Sequence, residues 1–487
     1  MDILEDGQYV ASHYLSLTAI ARGDPMLPSL TSTVEPQNPA PGSTLWGYAG
    51  MVAAIAAISG FLFGFDTAVI NGALVFLRRQ FALSNLLTEI AASSLLLGCL
   101  GGAAASGIAS DRLGRRISLM GAAILFTLSA VGSALAENVT WFCVSRVAGG
   151  LAIGLASALT PLYITEIAPQ HRRGMLVSLN QLAIVAGILA AYSTNWQLAG
   201  IGQESWRWMF GVAILPSAAF LAGLIFIPES PRWLVAQGRR DQGLTVLRKI
   251  VGEAAADREL RAIEAALAET SGGAGELFAP GMRRRLFVAI TLAVLQQISG
   301  INTVLYYGSV LFTEHFRGET ARTAIGANVA VGIVNLVCTL LAMVFIDRWG
   351  RRGLLLAASG GMTASLLALS LGLHEASIAP AVIFASVLLY VAFFAIGLGP
   401  GVWVYITEIF PTRVRGRATA MATTALWTAC LVVTLTFLSI VDYLGLPGAF
   451  LVYAALSLIT FLFIWIWVPE TRRRSLEEIQ AMWRRVP

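Results

Sequence analysis

DRLGRR at residues 111–116 returns as DRWGRR at 347–352. Around it the pattern continues: YITEIAPQHRRG at 163–174 returns as YITEIFPTRVRG at 405–416, and PESPR from Pro228 returns as PETRR from Pro469. Three blocks recurring in one order at a nearly constant offset mean that the chain is built twice. Each copy sets acids beside arginines: Asp111, Arg112, Arg115, Glu166, Arg173 and Glu229 in the first, Asp347, Arg348, Arg351, Glu408, Arg415 and Glu470 in the second. Such charges can pair across the seam between two halves and hold one side shut. Surface ion pairs contribute only about 0–1 kcal/mol each, which suits a latch that must open on every cycle.

The medium around these blocks is apolar. Of 487 residues 56% are apolar and 13% charged, with a mean hydropathy of +0.72. That composition describes an integral membrane protein. Runs of about 20 apolar residues, the length that crosses a hydrocarbon core of about 30 Å, predict twelve spanning helices. They fall near 47–72, 89–109, 117–136, 139–162, 175–197, 208–227, 286–312, 323–346, 353–373, 379–406, 418–441 and 447–468. Six lie in each copy, so the predicted fold is all-α, with two pseudo-symmetric six-helix halves related by an axis along the membrane normal.

The net charge of +5 and pI near 9.2 set a topology rather than an acidic or nucleic-acid partner. Arginines crowd the loops on the side of the termini, so both termini are expected in the cytoplasm. The organisation follows: a tail over 1–45, a half over 46–228, a polar linker over 229–285, a second half over 286–468 and a tail over 469–487. Helical spacing of apolar residues over 242–251 and 256–270 predicts amphipathic linker helices, with a flexible break at 271–275.

Some chemistries are excluded by residue type. Lys249 is the only lysine, and it stands in VLRKI, so the chain has no GxxxxGK[ST] phosphate loop. Cys99, Cys143, Cys338 and Cys430 fall in apolar runs without metal or disulfide spacing, and the four histidines form no catalytic or metal-binding motif. No cofactor, metal or enzymatic activity is expected.

Two ions within apolar runs stand against this background. SGFLFGFDTAVINGA at 59–73 places Asp66 inside the first span, and RVAGGLAIG places Arg146 inside the fourth. An aspartate at mid-membrane costs roughly 2.5–3.5 kcal/mol, so it needs a partner, a polar cavity or an ion path. Gly60 and Gly64 could instead loosen the helix and let backbone satisfy the carboxylate. Arg146 has two fates, snorkelling to the near interface or turning inward to Asp66. Gly149, Gly150 and Gly154 beside it fit close helix packing. Amides also recur in apolar helices: Gln181, Gln296, Gln297, Asn302 and Asn335. Each offers a donor and an acceptor, which matches a hydroxyl-rich ligand.

Together the repeated blocks, QQISGIN from Gln296 and the apolar pattern over about 47–480 resemble the sugar porter branch of the major facilitator superfamily. The resemblance implies proton-coupled symport of a monosaccharide by alternating access, with Asp66 as proton carrier, Arg146 as its switchable partner and the five amides on the sugar. It adds Phe63, Trp403 and Trp427 as cavity aromatics. Leu426, Cys430 and Ile188 stand where many hexose-transporting relatives carry amides, which leaves pentoses, deoxy sugars and polyols open. The partners implied are a monosaccharide, a proton and membrane lipid, with the monomer as working unit. A facilitative uniporter and a non-transporting sugar sensor are the alternatives; relatives that only equilibrate sugar usually lack the acid at Asp66, and the tail after Pro469 is short for signalling.

Overall fold

Helix is the only regular structure among the described residues of the computed structural model, which are 43–168, 173–268, 277–279, 282–315, 321–375 and 379–472. The two tails for the most part, the break at 271–275 and the side chains of Arg173 and Asp347 lie outside them.

Among the described residues, eleven helices are long and apolar enough to cross a membrane. Spans 1 to 6 are Gly47–Gln80, Asn85–Leu113, Arg115–Ala134, Val139–Ile167, Met175–Leu198 and Ser205–Phe226. Spans 7 to 10 are Met282–Phe312, Arg322–Ile346, Arg351–His374 and Pro380–Glu408. The eleventh helix, Val414–Trp467, runs for 54 residues, about twice what one crossing needs. It turns at Gly445, whose φ of 71° takes it out of the helix, with Pro447 two residues on. The part before Gly445 is span 11 and the part after it span 12, which completes the twelve. Helices Arg240–Val251 and Glu253–Ala268 lie between the halves and are tied by Arg240 and Glu264 at 2.8 Å.

Two spans are interrupted. Span 7 breaks between Ile298 and Ile301 at Gly300, whose φ is +90°. Span 10 passes through one wide turn at Phe394–Leu398 just before Pro400. Proline removes a ladder N–H and clashes with the preceding turn, so carbonyls there need partners from elsewhere. Span 7 braces the same turn: Gln296 Nε2 donates to the Leu398 carbonyl at 2.7 Å and to that of Gly399 at 3.2 Å.

Span 1, by contrast, is not loosened at Gly60 and Gly64; it stays helical throughout. A Cβ on Gly64 would stand 1.8 Å from the Ile184 carbonyl oxygen. That glycine lets span 5 lie directly on span 1, which is packing rather than backbone relief.

Candidate functional site: a buried ion pair beside an amide cavity

The repeated blocks build one device twice. Gly114 and Gly350 join span 2 to span 3 and span 8 to span 9 with φ of 90° and 83° and ψ of 170° and 158°, a region essentially reserved for glycine. The turn points the first N–H groups of the next helix at a glutamate. Glu229 accepts from the N–H of Arg115 at 3.0 Å and of Arg116 at 3.0 Å, and Glu470 accepts from Arg351 at 2.9 Å and Arg352 at 3.0 Å. A carboxylate at a helix N-terminus satisfies orphan donors and faces the positive end of the helix dipole. The arginine side chains reach back to the second acid of each copy, Arg115 to Glu166 at 2.9 Å and Arg351 to Glu408 at 3.0 Å. Ser230 and Thr471 complete the clusters on Glu166 and Glu408.

In this structure the ion pairs do not form the expected latch across the seam. Arg115 and Glu166 belong to one half, and Arg351 and Glu408 to the other, so these pairs brace each half instead of bridging the seam. Arg415, seven residues past Glu408, donates to the Phe410 carbonyl, while Asp111, Arg112 and Arg348 are exposed. Burial pushes the Glu229 carboxyl above the usual range, against the pull of its backbone donors and Arg115.

At the end of the molecule away from these clusters, the halves do meet. Asn71 of span 1 donates to the Leu305 carbonyl at 2.8 Å and accepts from the Ser309 N–H at 3.0 Å. Tyr192 of span 5 donates to Leu305 at 3.0 Å, and Asn85 of span 2 to Asp442 of span 11 at 2.8 Å. No sequence signal separated these polar residues from loop-edge residues.

Between the two ends lies the ion pair. Arg146 is wholly buried and Asp66 is 6% exposed. One guanidinium nitrogen donates to the Asp66 carboxylate and another to the Asp66 backbone carbonyl at 2.6 Å, with the Phe210 ring 5.0 Å from the guanidinium carbon. Of the two fates open to Arg146, the inward one is realised. Gly149, one helical turn on, makes room: a Cβ there would stand 2.7 Å from Asp66 Oδ2 and 2.4 Å from Ser129 Oγ.

The cavity amides form a chain at the break in span 7. Asn302 Nδ2 donates to Gln297 Oε1 and to Cys430 Sγ at 3.1 Å, and Gln297 approaches Gln296 Oε1 at 3.4 Å. Gln296 is thus committed to the wide turn of span 10. Phe63 and Trp427 face each other across the seam with ring centroids 5.7 Å apart, and the buried Trp427 Nε1 has no partner among the described residues. Gln181 and Trp403 are half-buried and Asn335 is buried, with no hydrogen bond joining them to the amide chain among the described residues. Phe63 stands three residues before Asp66 on span 1 and packs on Trp427, which stands three residues before Cys430 on span 11, so the ion pair and the amide chain are neighbours.

A twice-built twelve-helix bundle with an ion pair in its first half and amides in its second defines a class, and the family comparison agrees: residues 52–483 match the "Sugar (and other) transporter" family. The chain belongs to that family and is a multi-pass membrane transporter, not an enzyme. Among particular proteins, it is 37% identical to the D-xylose-proton symporter of Escherichia coli (strain K12), over 90% of this chain and 96% of that one. It is 36% identical to the arabinose-proton symporter of Bacillus subtilis (strain 168), over 92% and 98%. Its fold matches the inward-open xylose transporter XylE from E. coli with a TM-score of 0.78 at 36% identity, covering 90% of this chain and all of that one.

Proposed function

We propose that this chain carries a monosaccharide across the cell membrane in symport with a proton, by alternating access, with Asp66 as the proton carrier and Arg146 as its switchable partner. The observation that carries the reading is the buried Asp66–Arg146 pair beside the amide chain. Two relatives described as proton symporters of xylose and arabinose support the coupling and the pentose class of substrate. Protonation of Asp66 removes the charge that holds Arg146, and the arginine then turns to its remaining partner, the Asp66 carbonyl, and to the Phe210 face.

The sugar occupies the space lined by Asn302, Gln297, Phe63 and Trp427, with Gln181, Asn335 and Trp403 on its walls. Trp427 Nε1 has a donor to give, and the aromatic faces suit the C–H side of a sugar ring. Gln296 acts as a link between this cavity and the bend of span 10. With the arginine-rich loops in the cytoplasm, the end where the halves meet faces outward, and the molecule rests open to the inside. The energetics suffice: one proton moving down 100 mV supplies roughly 2.3 kcal/mol, and tenfold accumulation costs about 1.4 kcal/mol.

The test is uptake into proteoliposomes with and without an inward proton gradient, with pentoses, hexoses and polyols as substrates. Wild type accumulates sugar roughly fortyfold per 100 mV at one-to-one coupling. Asp66→Asn exchanges sugar but does not accumulate it. Equilibration by wild type whatever the gradient would make the protein a uniporter and Asp66 a structural residue.

A further inference from the structure

Among the described residues, Glu89 is the one buried acid that the ion pair and the repeated clusters leave unused. It sits in the second turn of span 2 and is wholly buried, and no cation pairs with it among the described residues. Both of its acceptors go to one residue across the seam. Ser439 of span 11 donates its backbone N–H to Glu89 Oε1 at 2.8 Å and its hydroxyl to Oε2 at 2.9 Å. Span 11 stays helical through Ser439 and leaves the helix only at Gly445, so this N–H reaches Glu89 from an intact helix. Nearby, the Thr434 carbonyl of the same ladder accepts from Tyr307 of span 7 at 2.8 Å. Span 11 is therefore gripped by Tyr307 from its own half and, from the other, by Glu89 and, one turn of span 2 away, by Asn85 on Asp442.

We propose that Glu89 and Ser439 are the clasp that shuts the seam at this end, and that span 11 is the element through which the clasp acts on the sugar cavity. This rests on the alternating-access reading. Trp427 and Cys430 lie on the same helix about 18 and 14 Å inward of Ser439. Tyr307 holds span 11 at Thr434, on the inner side of the clasp, so the outer end of the helix can swing off Glu89 about that hold. A carboxylate suits a clasp of this kind. It is well satisfied by water when the end is open and by two donors when it is shut, so closure exchanges one solvation for another and stays near balance. Glu89 touches no substrate; it is a positioning residue.

The clasp predicts effects of opposite sign. Ser439→Ala removes one donor from a buried charge and shifts the population toward the open end by roughly tenfold. Glu89→Gln keeps an acceptor for the N–H and a partner for the hydroxyl without a charge to dehydrate, and shifts the population toward the closed end. In the Glu89→Gln background the Ser439→Ala shift shrinks, because the donor no longer serves a charge. The measurement is the distance distribution between spin labels on Glu137→Cys and Glu375→Cys, both exposed at this end, with the half-buried Cys143 and Cys338 replaced by alanine. Ser439 is itself exposed, so its variant is expected to fold. Equal Ser439→Ala shifts in both backgrounds, or no shift in either, would overturn the clasp. A single distance in the parent under every condition would sink the alternating-access reading with it.

Discussion

The two halves share a scaffold and divide the chemistry. At the ends that carry the repeated blocks, Gly114, Arg115, Glu166 and Glu229 are matched by Gly350, Arg351, Glu408 and Glu470, nearly atom for atom. At mid-membrane the likeness stops: the first half holds an ion pair and the second a chain of amides. Geometry common to both halves belongs to folding. On the proposed reading, what differs serves the cargo, a proton on one side and a polyhydroxylated ligand on the other.

The largest expected effect breaks the first half at its centre. Arg146→Ala leaves Asp66 buried without its cation, and removing one partner of a buried pair costs about 3–5 kcal/mol. The variant should melt well below wild type in detergent and lose uptake. Asp66→Asn, which removes the charge and keeps a hydrogen-bonding group, should retain most of the stability. Equal melting of the two variants would mean that Arg146 is anchored by Phe210 and the backbone carbonyl rather than by the charge.

In the second half the corresponding break is Asn302→Ala. It removes a donor to Gln297 and to Cys430 without stranding an ion. Uptake should show KM raised by roughly tenfold, about 1.4 kcal/mol of lost binding, while the ratio of accumulation to gradient stays as in wild type. A loss of coupling with KM unchanged would join the amide chain to the proton site and dissolve the division between the halves.

How far the sequence carried this picture depends on range. The repeat, the span count and the existence of Asp66 and Arg146 were legible because they rest on period, length and the cost of a charge in lipid. Arg146 had two open fates, and only the packing of Gly149 against Asp66 decides between them. The ion clusters were legible as clusters but not as intra-half braces, since which arginine reaches which acid depends on how spans 2, 3 and 4 are arranged around Gly114. Glu89 escaped notice because an acid at the lip of an apolar run looks solvated until span 11 is laid over it. Gly300, one glycine among 47, gave no sign that span 7 breaks there.

The shared scaffold makes a sharper prediction of equality. Gly114→Ala and Gly350→Ala each force a side chain into a glycine-only conformation, at about 1–3 kcal/mol. Each also drives a Cβ to within 2.4 Å of Glu229 and 2.5 Å of Glu470. The two variants should lose similar amounts of thermal stability. A much larger loss for one would show that its half carries more of the fold.

The smallest effect separates the twin caps. Burial raises the Glu229 carboxyl above its unfolded value, so in the window between the two the folded chain binds more protons than the unfolded one. Stability contributed by this group therefore falls as pH rises through that window, and the penalty on the ionised cap is fully present above it. Glu229→Gln keeps an acceptor for the Arg115 and Arg116 N–H groups and has no charge to dehydrate. Its melting temperature should equal or slightly exceed that of wild type at neutral pH. The difference should shrink or reverse as pH falls through the window just above the ordinary carboxylate range. The check is a pair of thermal melts across that range for wild type and Glu229→Gln. A variant that is less stable at neutral pH and gains on wild type under acid would reverse the sign, and would mean that the three backbone donors and Arg115 outweigh burial at this cap.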